Sequence, residues 1–160
     1  MRRGIAVIVA VAAPLAVAAT ALATTPSGIA VTTFVRATLD GNRAHGGVKA
    51  SADHVQLRTK GATDVAMQVI SSPAGGSSGW HSHPGVVLVA VQSGTVTRYD
   101  NHCKATQFGP GQSFVEVGDD AVLVRNNTAS DALLYVTLIV PKSATLLRVD
   151  RPQPAGCSAS

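Results

Sequence analysis

The sequence predicts an all-β protein, a single-domain antiparallel sandwich or barrel, and three observations carry that prediction. Nine short runs rich in Val, Ile, Leu and Thr succeed one another, at 31–39, 54–59, 64–70, 86–92, 95–100, 113–117, 121–126, 132–140 and 145–149. Between them lie clusters of Gly, Pro, Asn, Asp and Ser, which supply the backbone angles and local hydrogen bonds that turns need. Beyond the first residues no window sustains an apolar period of 3.6, so alternating helix and strand units are not indicated.

The chain opens on MRRGIAVIVAVAAPLAVAATALA, a basic start followed by an uncharged run broken by Pro14 and closed by Ala21-Leu22-Ala23. This is the pattern of an export signal cut after Ala23; the rival reading, a retained membrane anchor, is weakened by the proline and the small-x-small ending. The expected organisation is therefore a signal at 1–23, a leader with the first strands at 24–63, the main body at 64–141, and a last strand with a tethered tail at 142–160. A chain of 160 residues, 46% hydrophobic and 14% charged, has room for one core and is not disordered in composition.

Signal removal takes away two of the thirteen basic residues and none of the nine acidic ones, so the net charge falls from +4 to 11 − 9 = +2. No basic run follows, and aromatics make up only 4% of the chain, so platforms for stacking bases are scarce and nucleic acid is excluded as a partner. After signal cleavage no membrane partner is expected. In the oxidising compartment that export implies, the two cysteines, Cys103 and Cys157, read as a disulfide that ties the tail to the body and adds about 4 kcal/mol in the chain-entropy model.

The run at 86–92, VVLVAVQ, alternates so that Val87, Val89 and Val91 share one face and Leu88, Ala90 and Gln92 the other. Just before it, His81 and His83 stand one residue apart. In a strand such residues point to the same side about 6.6 Å apart, so two imidazoles can converge on one point. Trp80, adjacent to His81, then points away, to pack the outer sheet, cover an edge, or form a pocket wall.

From Gly75 the chain reads GSSGW, His81-Ser82-His83, PGV, Val87, LVAVQS and Gly94; from Gly111 it reads QSFVE, Val117, then Asp119, Val122 and Asn126. In spacing these two stretches resemble the paired motifs of the cupins, small jelly-roll barrels, and GWHSHPG looks like a group of small secreted bacterial members. The resemblance covers about Asp64 to Pro141. It implies a cupin-type jelly roll and a metal site made from the two histidines and a glutamate of the first motif and a histidine of the second. Here Val87 takes the place of the glutamate and Val122 that of the third histidine.

Two neutral imidazoles between valines would leave a cation uncompensated in an apolar surround. One divalent transition metal is thus a possible cofactor only if a substitute carboxylate exists. Asp120, two residues before Val122, is the candidate for it; Glu116, the only glutamate, sits mid-strand in SFVEV, where an outward solvated side chain is at least as reasonable. The reading that follows is a secreted or cell-envelope protein binding a small molecule in a pocket around His81, His83, Val87, Val89 and Val122, without catalysis. The alternative is a metal-dependent, dioxygenase-like oxidoreductase using His81, His83 and Asp120. A homodimer formed through sheet edges is a third possibility. No nucleophile elbow or phosphate loop is present.

Overall fold

The computed structural model describes residues 22–39 and 46–158, so the expected signal lies outside the described residues apart from Leu22 and Ala23. Among the described residues there are strands and no helix: β1 (Ala30–Thr38), β2 (Lys49–Ala52), β3 (Val55–Arg58), β4 (Thr63–Ser72), β5 (His81–Ser82), β6 (Val86–Ser93), β7 (Val96–Tyr99), β8 (Ala105–Phe108), β9 (Ser113–Val117), β10 (Leu123–Arg125), β11 (Ala132–Pro141) and β12 (Val149–Asp150). The fold is all-β.

One layer is a five-stranded antiparallel sheet in the order β1-β4-β11-β6-β9. The other is β10-β7-β8, extended by the bridges His81–Val122 and Ser77–Arg125 to β5, which pairs with β12. β2 and β3 form a separate hairpin. In β6, β9 and β11 burial alternates residue by residue, so Val87, Val89, Val91, Phe114, Leu134, Val136 and Leu138 meet in the interior as one core.

Eight of the nine apolar runs coincide with strands. The exception is 145–149, of which only Val149 joins a ladder. Its Leu147 instead lines the interior cavity and its carbonyl accepts from His83, so the segment packs against the cavity rather than extending a sheet. β2 and β8, KASA and ATQF, had no signal because they lack an apolar run, and their pairing comes from the turns that fold them back.

Gly94 turns β6 into β7 with φ +71°, and a Cβ there would lie 2.3 Å from the Asp131 carbonyl oxygen, so both conformation and space require glycine. Cys103 and Cys157 form the disulfide, with Cα atoms 5.3 Å apart. Trp80, only 2% exposed, packs with Leu123 and Cys157, away from the main core. The tail is stitched further: the Arg151 amide donates to the Trp80 carbonyl, the Thr24 amide donates to the Arg151 carbonyl, and the Arg151 guanidinium reaches Ser82 and Asp119.

Candidate metal centre

His81 is fixed at its backbone, since it and Val122 each donate an amide hydrogen to the other's carbonyl. Its side chain turns inward beside that of His83, with ring centroids 4.9 Å apart and planes at 86°. Each ring is also held from behind. The Nδ1 of His81 lies 3.0 Å from the Gly79 carbonyl oxygen and that of His83 2.7 Å from the Leu147 carbonyl oxygen. A carbonyl can only accept, so both Nδ1 atoms carry the hydrogen and both Nε2 atoms face the cavity.

The group they face is Glu116. Its Oε2 lies 3.1 Å from Nε2 of His83 and 3.8 Å from Nε2 of His81, and all three side chains are buried. Three donor atoms thus lie within 4.8 Å of one another. Burial alone pushes the Glu116 pKa up, but the polar contact and charge of His81 and His83 more than reverse this and bring it to about 2.

This corrects the sequence expectation twice. Asp120 does not supply the carboxylate: it is exposed on the turn after β9, with Oδ1 3.4 Å from the Asn101 side-chain amide. The reason is local, because Gly118 at φ +54° begins a turn and no regular strand resumes before Leu123, so two-residue alternation does not reach back to position 120. Glu116 is not solvated either. It is the cross-strand partner of Val87, on the inward face that it shares with Phe114. The carboxylate that the resemblance would place on β6 therefore sits one strand away on β9, aimed at the same point.

Val87 and Val89 line the cavity beside the triad; Val122 does not, being buried instead in its backbone bridge to His81. The alternation Phe114, Glu116 against Ser113, Val115, Val117 was the available sequence signal for an inward glutamate: if the phenylalanine is core, the glutamate shares its face. His54 and His102 lie on exposed turns, and the disulfide removes Cys103 as a thiol.

The cavity occupies about 380 Å³, a small-molecule size, and is walled mainly by Val87, Val89, Phe114, Leu134, Val136 and Leu138, with Arg148 at its lining. The triad forms its polar end. Two unpartnered polar atoms test whether a cation suits it. His83 Nε2 and Glu116 Oε1 are buried without a hydrogen bond, although the former lies 3.1 Å from Glu116 Oε2. As ligands both imidazoles would present the Nε2 lone pair, since each Nδ1 is tied to a carbonyl, and the Glu116 carboxylate would offset part of the charge of a divalent ion placed between them. Two imidazoles and one carboxylate, each imidazole anchored through its other nitrogen, are a donor set that would hold a divalent transition ion at the polar end of the cavity.

No protein-family profile matches the chain, and no curated protein does. Solved structures do. A Klebsiella pneumoniae protein with a double-stranded β-helix domain matches at TM-score 0.47 and 16% identity, over 54% of this chain and 76% of the other. A predicted oxalate decarboxylase from Thermotoga maritima matches at 0.43 and 19%, over 51% and 83%, and the cupin domain of Schizosaccharomyces pombe Cnp3 at 0.43 and 11%, over 66% and 64%. At these values the likenesses assign neither family nor activity, and the all-β sandwich stands on its own strand ladders.

Proposed function

We propose that the protein is an exported, cupin-like, metal-dependent oxidoreductase whose ion is held by His81, His83 and Glu116 and whose substrate is a small, largely apolar molecule. The observation that carries this reading is the convergence of both Nε2 atoms on one buried carboxylate, with both Nδ1 atoms tied to carbonyls. A divalent transition ion bound there supplies Lewis acidity and, for a redox-active metal, one-electron chemistry. The chain's own residues do the rest. Gly79 and Leu147 fix the imidazole orientation, the valine and leucine walls exclude water, and the cavity would bring an enclosed molecule against the three donor side chains.

The non-catalytic pocket is the second reading, favoured by the predominantly apolar lining; Glu116 shifts the balance away from it. The disulfide supports export. Titration of chelator-stripped protein with Mn(II), Fe(II) or Co(II) should show one ion bound per chain. Glu116→Gln should abolish this binding, and Asp120→Asn should leave it unchanged. A wild type that binds none of the three ions, or a Glu116→Gln variant that binds like wild type, overturns the metal centre.

A further inference from the structure

The five-stranded sheet has two faces, and among the described residues only the inner one is covered. Its strands carry three charged residues, and all three turn inward: Glu116 to the cavity, and Arg36 and Asp64 to each other at 2.8 Å. The outer face is left without charge. Strand register lines up Val35, Met67, Thr137, Leu88 and Val115 in one row across all five strands, and the parallel rows through Ile139 and Tyr135 repeat the composition. Met67 is 50% exposed, Leu88 44%, Val115 49% and Tyr135 49%.

We infer that this face is the interface of a two-fold dimer with a second copy of the chain, packed sheet on sheet. Five strands and the five-residue ladder common to all of them make a face of about 24 Å by 17 Å, and side-chain relief raises its accessible area toward the ~800 Å² per partner of a stable interface. That is also more apolar surface than a monomer usually leaves bare. An uncharged sheet face suits a copy of itself, since like charges are not opposed across a two-fold axis and two such faces stack with interdigitated side chains. The described residues before β1 do not supply a cover: Ala23 bridges Pro152, Ser27 bridges Ser77, and Pro26 and Ile29 line the cavity.

Analytical ultracentrifugation of the full mature chain at tens of micromolar tests this. Wild type should sediment with the mass of two chains. Leu88→Arg, and independently Val115→Lys, should give one-chain mass with the Trp80 near-UV circular dichroism of wild type. The two variants guard against one of them misfolding. A wild type of one-chain mass overturns the dimer, as does a folded Leu88→Arg or Val115→Lys protein that retains two-chain mass. A monomeric wild type that floats with phosphatidylglycerol vesicles overturns it in favour of a lipid surface.

Discussion

Glu116 sits where desolvation and attraction compete at one carboxylate, and the attraction wins. Its pKa falls from 4.5 to about 2, so in metal-free protein the stabilisation it contributes is present above pH 4.5 and disappears as pH falls from there toward 2. The size is on the order of 3 kcal/mol at full ionisation. Urea unfolding of metal-free protein at a series of pH values should show this loss in wild type and a flatter profile in Glu116→Gln. A wild-type profile that stays flat over that range contradicts the assigned contacts. At this scale the sequence revealed two of the three side chains of the centre. His81 and His83 were legible because their convergence is a local, two-residue relation. Glu116 was not, because its role depends on β9 lying beside β6, a long-range register that no short window encodes.

Strands as elements were legible where they had their own apolar period, as in β6 and β11, and illegible where pairing was imposed from outside. β5 is two residues long and exists because His81 bridges to Val122 and pairs with Asp150 of β12. Its rigidity therefore depends on the tail. Replacing both Cys103 and Cys157 by Ser should lower stability by about 4 kcal/mol in denaturant melts. It should also speed hydrogen exchange at the Arg151 amide, which bonds to the Trp80 carbonyl beside the first imidazole. Unchanged exchange there would show that the tail stays docked without its covalent link. At the β6–β7 turn, Gly94→Ala forces a side chain against the Asp131 carbonyl from a positive φ, and a loss of at least ~2 kcal/mol is expected from the same melts. A melt like that of wild type would mean the turn relaxes freely.

The whole molecule is a sandwich whose two faces have different work. The inner space is part core and part cavity: Val91, Val96 and Ala132 pack in the core, while Val87, Val89 and Leu138 belong to the core and also wall the cavity. The outer face of the larger sheet is apolar without being core, which marks it for contact beyond the chain. The all-β class was readable from turn spacing because every connection must reverse the chain within a few residues. The pairing of sheets and the cavity between them was not, since it depends on which faces meet.

In the proposed centre His81, His83 and Glu116 together hold one ion. X-ray absorption at the metal edge of the reconstituted protein tests it most directly. Two imidazole ligands are expected, with the remaining donors oxygen and no sulfur, and the bound metal should be lost in Glu116→Gln. A spectrum with fewer than two imidazoles, or one identical in Glu116→Gln, would contradict it.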